Sequence, residues 1–244
     1  MKLADLETKL GFRSYFNFVP EKYTNSNSLH MDIRKLGCEI GVHGLKHDGK
    51  LFRSLKIFSQ RSAKINAYLN KWKTKGFTSP SMLRNLDWLK ALNISYSTST
   101  FDSDPFEPQQ EPAKTIFPFW IGNSHQSKGF LEMPYTLPQD HLLFVILKEK
   151  NINIWKKKLD WIAEKGGMAL VNTHADYINF DGGKLGDEEY PISYYFDFLN
   201  YVKQKYCDQY WNVLPADVVR FWKNNVLLAV KDKARNWNSE DNQS

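Results

Sequence analysis

The chain has 244 residues, which is enough for one α/β domain with a full-sized hydrophobic core. Its formal net charge is +6, but the basic residues are scattered and only 156–158 form a dense run, so the charge does not indicate a nucleic-acid partner. Two cysteines, Cys38 and Cys207, are too few for a disulfide framework or a cysteine zinc site and predict a reduced, cytoplasmic protein; no apolar run is long enough to span a membrane.

Short apolar runs alternate with helical patterns along the chain, which predicts a parallel α/β architecture. Strands are predicted at 12–19, where Pro20 ends the run, and at 38–43. A long amphipathic helix follows, and its apolar residues recur at near-helical spacing at Phe58, Ile65, Leu69 and Trp72.

Ser79 and Pro80 predict the N-cap and the first position of a further helix, whose apolar face carries Met82, Leu86, Leu89 and Leu92. A strand is then predicted at 93–99. The next segment, 102–114, is a proline- and acid-rich loop, long enough to suggest a function or a surface flap.

The second half continues the alternation. Short runs at 116–120 and 130–135 predict strands, and a helix around Trp155, Leu159 and Ile162 ends at Gly166 and Gly167. The run 168–174 predicts a buried strand, and 192–205 an aromatic helix. We therefore expect one domain over 1–230, followed by a polar flexible tail at 231–244.

Two histidines, His43 and His174, each follow a predicted strand. In parallel barrels the carboxyl ends of the strands form the catalytic face, although a lone histidine there is more often structural. His47 follows His43 by four residues, and on one helical turn this spacing puts both rings on the same side, a usual arrangement for a divalent metal. The three histidines are the candidate site.

Four segments in order, EIGVHGLKHDG, FTSPSM, STFDSDPFEPQ and NTHADY, resemble the polysaccharide deacetylases of the NodB-homology group, carbohydrate esterase family four, over roughly residues 10–215. The resemblance implies a distorted, incomplete (β/α) barrel and a zinc-type divalent metal bound by two histidines and one aspartate. It also implies a second aspartate as general base and a late histidine as general acid. His43 and His47 match the metal ligands, and His174 matches the acid.

The chain departs from the family pattern in two places. Both family aspartates belong to a first strand upstream of 12–19, where only Asp5 and Glu7 are acidic and neither matches. We therefore expect the first strand and its motif to be missing, and an upstream-extended chain to have a higher thermal midpoint. Thr78 stands where the family has an arginine that orients the base; whether Arg84 compensates is left open.

Other polar residues are weaker candidates for lining the site or supporting its histidines. Asp48 could orient an imidazole, and Asp176 could do the same for His174 or simply serve a turn. Asp102 and Asp104 follow a predicted strand and could face the cleft, although loop carboxylates are more often solvated or capping. Further residues expected near the pocket are Ser79, Pro80, Pro134 and Tyr135.

The resemblance implies a metal-dependent hydrolase that removes N-acyl groups, most simply acetyl, from a polysaccharide or glycan precursor, and that could be inactive without the first motif. The family pattern also covers hydrolases of non-sugar amides. The alternative from another class is a non-catalytic carbohydrate-binding pseudoenzyme, and a basic surface-binding module ranks last. A carbohydrate is the expected partner in the first and second cases, and aromatic residues, 15% of the chain, either fill the core or stack on sugar rings.

Overall fold

The computed structural model describes residues 1–122 and 129–227 and has the predicted α/β architecture. One six-stranded sheet is built from β1 (Tyr15–Phe18), β2 (Glu39–His43), β3 (Gly76–Thr78), β4 (Tyr96–Ser97), β5 (Phe119–Gly122) and β6 (Gly129–Glu132). Its order is β1-β2-β3-β4-β6-β5, with parallel neighbours except that β5 is antiparallel to β6. The sheet does not close into a complete barrel, which confirms the predicted incomplete (β/α) fold.

Seven α-helices occur in the described ranges: α1 (Lys2–Lys9), α2 (Asn27–Lys35), α3 (Leu55–Lys71), α4 (Leu86–Leu89), α5 (Asn153–Glu164), α6 (Ile192–Lys205) and α7 (Pro215–Phe221). Short 3-10 turns occur at Pro80–Met82 and Ala175–Tyr177, and π-helical turns at His141–Ile146 and Trp222–Leu227. A small parallel pair joins β7 (Ile178–Asn179) to β8 (Tyr190–Pro191). Among these helices, none has the length and apolarity needed to cross a membrane. The predicted tail at 231–244 lies outside the described residues.

The sheet separates two sets of side chains. On one face, Ile40 and Val42 of β2 and Phe77 of β3 pack against Phe58 and Ile65 of α3 in the largest apolar core. The long helix predicted from this spacing is therefore confirmed. Because successive side chains of a strand alternate between faces, Glu39, Gly41 and His43 lie on the opposite face.

Two tyrosine rings fill the space beneath His43 on that opposite face. The Tyr15 ring lies over Gly41, where an added Cβ would come 2.0 Å from the tyrosine hydroxyl, and the Tyr96 ring lies over Gly76 in the same way. The two rings meet edge to face, with centroids 5.2 Å apart. At the amino ends of the strands, Tyr96 donates to the carboxylate of Glu39, which also accepts from the first turn of α7.

The predicted strand at 168–174 does not form. The segment makes one isolated bridge, between Val171 and Leu137, and its residues are only partly buried. The neighbouring segment explains this, because Pro138 has no N–H to donate and a π-helical turn starts at His141. Regular strand pairing therefore stops at the bridge, although the N–H of Asp140 still donates to the carbonyl of Asn172 at 3.5 Å.

The helix predicted from Ser79 and Pro80 is also wrong. The chain makes a single 3-10 turn there, and Ser81 and Met82 both have positive φ, near 53° and 52°, which interrupts any helix. Ser79 makes no cap; instead the side chain of Asn85 accepts from the N–H of Trp88 and starts the short helix α4. The strand predicted at 93–99 is shorter, at Tyr96–Ser97.

Candidate active site

His43 is the last residue of β2 and faces the carboxyl end of the sheet. Its Nδ1 lies 3.0 Å from the carbonyl oxygen of Thr78, the last residue of β3. A carbonyl can only accept, so Nδ1 carries the proton and Nε2 keeps its lone pair. Thr78 thus fixes the tautomer of His43 through its backbone.

His47 lies beside His43, with ring centroids 5.1 Å apart. The reason differs from the one predicted, because the segment between them is a turn and not a helix. Gly44 and His47 both have positive φ, 61° and 52°, and this turn folds the second ring back over the first. Gly44 also lies so close to Pro80 that an added Cβ would come 2.4 Å from the proline ring.

Both imidazoles of this pair are held neutral. Burial lowers the pKa of His43 from 6.5 to about 3, and repulsion between the protonated forms of His43 and His47 contributes to the same shift. Burial is also the main reason that the pKa of His47 is lowered. The charge of His174 lowers the pKa of both, so the three imidazoles lie within electrostatic reach of one another. Neutral imidazole is the form that binds a metal.

His174 is held by Asp140, a residue that the sequence analysis did not identify. Its Nδ1 lies 2.7 Å from Oδ1 of Asp140, and its backbone N–H donates to Oδ2 at 2.7 Å. Asp140 is fully buried and also accepts from the Tyr190 hydroxyl, 2.9 Å away, and from the N–H of His141, 2.7 Å away. A carboxylate with four donors is well compensated for its burial. It leaves Nε2 of His174 as the nitrogen available for proton transfer.

Three of the four predicted carboxylates have partners away from the imidazoles. Both oxygens of Asp48 accept from Arg61, at 2.7 Å each, and this pairing holds the pKa of Asp48 well below its ordinary value. Asp102 forms an ion pair of 2.5 Å with Lys158. Asp104 accepts from the Tyr135 hydroxyl, 2.9 Å away, and Asp176 is exposed on the turn after His174.

Ser79 and Arg84 surround the loop ends next to the site. Ser79 is fully buried, and its N–H donates to the hydroxyl of Ser99 at 2.9 Å. Arg84 is also buried; its guanidinium donates to the carbonyls of Met82 and Glu111 and lies 5.0 Å from the centre of the Phe101 ring. These hydrogen bonds tie Arg84 to the loop 102–114, while Thr78 contributes only its carbonyl to the histidine pair.

The donors present fit a divalent transition metal in kind but not in number. Two neutral imidazoles are suitable ligands, whereas catalytic zinc sites usually have three protein ligands. Within 1–122 and 129–227, no three His, Cys, Asp or Glu residues are grouped so that they could hold a metal ion. No reaction step is therefore assigned to a metal from this geometry alone.

Comparisons with known proteins identify solved structures with a similar fold. No family model matches the chain, and no curated protein matches it in sequence. Among solved structures, a candidate polysaccharide deacetylase from Mycobacterium smegmatis is similar with a TM-score of 0.65 and 18% identity, over 91% of this chain and 76% of that one. The PuuE allantoinase is similar with a TM-score of 0.55 and 17% identity, over 82% of this chain and 64% of that one.

A 4-α-glucanotransferase from Thermococcus litoralis is also similar, with a TM-score of 0.52 and 13% identity, over 82% of this chain and 33% of that one. At these identities the likeness shows a shared fold. Because one fold can carry many activities, the function must be argued from the side chains of the site.

Proposed function

We propose that this protein is a hydrolase of the deacetylase and amidohydrolase type, which removes an N-acyl group, most simply acetyl, from a carbohydrate. The observation that carries the proposal is the meeting of two neutral imidazoles, His43 and His47, with the Asp140–His174 couple at the carboxyl end of a parallel sheet. The fold shared with a candidate polysaccharide deacetylase and with an allantoinase supports a carbon–nitrogen hydrolase.

In this proposal each side chain has a stated role. Nε2 of His43 and the ring of His47 would hold a zinc-type ion, and such an ion would supply Lewis acidity for an acyl carbonyl and for a water molecule. His174 gives a proton to the leaving amine, and Asp140 keeps its imidazole in one orientation and stabilises its charged form. Within the described ranges no third ligand is grouped with this pair, and the family's two aspartates, one of them the general base, have no match in the sequence.

The test is turnover of N-acetylated oligosaccharides by the protein and by two variants. His174→Ala is expected to lower kcat by roughly 10²–10⁴-fold, the usual contribution of general acid–base catalysis. Asp140→Asn keeps the shape but replaces the charged acceptor, so it should also lower kcat. Asp87→Asn, an exposed residue of α4, is the control and should leave turnover unchanged. Equal turnover in His174→Ala would exclude the proposed role.

The donor count favours a second candidate, a carbohydrate-binding protein without catalysis. It retains the cleft and the histidines but lacks a grouped third acid in the described ranges. Oligosaccharide binding by calorimetry with no acyl release, even with zinc added, would support this candidate and exclude the hydrolase. A cytoplasmic location remains a prediction from the two cysteines.

A further inference from the structure

Two segments that carry the Asp140–His174 couple lie side by side with little backbone pairing. Residues 136–141 and 168–174 share the isolated bridge between Leu137 and Val171. The N–H groups of Thr136 and Leu137 donate to the carbonyl of Leu170 at 2.9 and 3.1 Å, and the N–H of Asp140 donates to the carbonyl of Asn172 at 3.5 Å. Side chains add further links. The Thr136 hydroxyl donates to the carbonyl of Met168 at 2.8 Å and accepts from the N–H of Leu170 at 2.9 Å. Because this backbone pairing is irregular and short, side-chain hydrogen bonds also contribute to the register of the two segments.

Gln139 makes a side-chain link directly beside the couple. Its Oε1 accepts from Nδ2 of Asn172 at 2.9 Å, and its Nε2 donates to Oε1 of Glu107 in the loop 102–114. Asn172 is two residues before His174, and Gln139 directly precedes Asp140. The two partners also fix the orientation of the amide, because the carboxyl oxygen of Glu107 accepts and the amide nitrogen of Asn172 donates.

We propose that Gln139 is a positioning residue for the Asp140–His174 couple. It holds residues 136–141 in register with 168–174 and anchors both to the loop through Glu107. The inference rests on the proposed function, since it matters for turnover only if His174 transfers a proton. The distance between His174 Nδ1 and Asp140 Oδ1 is 2.7 Å, and a hydrogen bond of this kind weakens steeply when its geometry is lost.

A matched glutamine is available as a control. Gln110 also ties its amide to the loop 102–114, donating to the carbonyl of Pro105 at 3.2 Å, but it has no contact with the 136–141 segment among its hydrogen bonds. Replacing it removes a loop contact of the same chemical kind. Gln110→Ala therefore measures the effect of loosening the loop without loss of the register link.

The experiment compares Gln139→Ala, Gln139→Glu, the exchange Glu107→Gln with Gln139→Glu, and Gln110→Ala in the full chain. Gln139→Glu loses the donor to Glu107. The exchange restores a hydrogen bond between the two positions with its direction reversed, while residue 139 still accepts from Asn172. The first readout is the NMR resonance of the His174 Nδ1 proton, and the second is kcat and KM on an N-acetylated oligosaccharide.

We expect Gln139→Ala and Gln139→Glu to broaden or shift the Nδ1 proton resonance and to lower kcat about tenfold with KM unchanged, as loss of groups that orient active-site histidines does. The exchange should recover most of both losses, and Gln110→Ala should match the wild type. If Gln139→Ala does not fold, the single Gln139→Glu variant and the exchange decide the question.

An unchanged resonance in Gln139→Glu, or an exchange no better than the single variant, would overturn the positioning role. The resonance requires no turnover, so the two proposals can fail separately. A resonance that responds to Gln139 in a protein without hydrolysis would support positioning and reject the hydrolase. Turnover that is unaffected by Gln139, in a protein that hydrolyses the oligosaccharide, would do the reverse.

Discussion

His43 links the site to the pH dependence of folding. Burial lowers its pKa from 6.5 to about 3 in the folded protein, while the unfolded chain keeps an ordinary value. As the pH falls below about 6.5, His43 is therefore protonated in the unfolded chain but stays neutral in the folded protein. The free energy of unfolding decreases progressively as the pH approaches the folded pKa. Above that range His43 is neutral in both states and contributes no pH dependence.

The variant His43→Asn tests this dependence. An asparagine can keep a donor near the carbonyl of Thr78 but cannot be protonated, so its contribution should not change with pH. We expect the thermal midpoint of the wild type to fall more steeply than that of the variant between about pH 6.5 and pH 4. Parallel curves over that range, measured by circular dichroism, would show that His43 is protonated without cost in the folded protein.

At the same scale, the sequence placed His43 and His47 together but did not identify the carboxylate that supports His174. The strand-end position of His43 is realised, whereas His47 reaches it through a turn and not a helix, and the strand predicted before His174 does not form. Asp140 is 34 residues from His174, and only the packing of two irregular segments joins them. Asp48, next to His47 in sequence, was the nearest candidate, but both of its carboxylate oxygens accept hydrogen bonds from the guanidinium of Arg61.

Among the elements, the loop 102–114 is anchored by two of its carboxyl groups, which share one tyrosine hydroxyl. The Tyr135 hydroxyl lies 2.9 Å from Asp104 and 2.5 Å from Glu107. One hydroxyl has one proton, so two hydrogen bonds require a second proton from a carboxyl group. Burial, and to a smaller extent the negative charge of Asp104, raises the pKa of Glu107. We therefore assign the second proton to the carboxyl group of Glu107.

Tyr135→Phe should therefore loosen this loop. The variant leaves two buried carboxyl groups without their shared partner, at a cost of about 1–3 kcal/mol in the free energy of unfolding. We expect a lower denaturant midpoint and faster cleavage within 102–114 by a protease. The control is Tyr194→Phe, which removes an exposed hydroxyl bonded to the carbonyl of Lys150. Equal midpoints for the two variants would contradict the shared-proton arrangement.

The elements themselves were predictable where periodicity was long. Helices α3, α5 and α6 follow from apolar spacing over many residues, and α6 has the predicted bounds of 192–205. The failures, at 79–92 and 168–174, are short segments whose local signals were outweighed by their neighbours. Positive φ at Ser81 and Met82 is set by the tertiary arrangement, and Pro138 affects 168–174 only because the fold places the two segments side by side.

For the molecule as a whole, the alternation of strands and helices predicted a parallel α/β architecture, and the resemblance to the deacetylase family implied the incomplete barrel. The number of metal ligands is a separate matter, because it depends on which donors the fold gathers. Two neutral imidazoles should bind zinc, but more weakly than a site with three protein ligands.

Calorimetric titration with zinc measures this directly. We expect saturable binding that is lost in His43→Ala and in His47→Ala, is reversed by a chelator, and is retained in His141→Ala, whose ring stacks on Tyr177 instead. Binding should weaken as the pH falls, because protons compete for the imidazoles. Undiminished binding in His43→Ala would place the metal elsewhere in the chain.

The tyrosine rings over Gly41 and Gly76 close the floor below His43. In the part of the chain that the structure describes, they fill the sheet's interior between the histidines and α7. A polysaccharide bound as in the proposed function would therefore lie across the carboxyl end of the sheet and could not pass through its centre. In that arrangement the substrate and the deacylated product would enter and leave through the same opening. A product that stays bound there would therefore slow the next turnover.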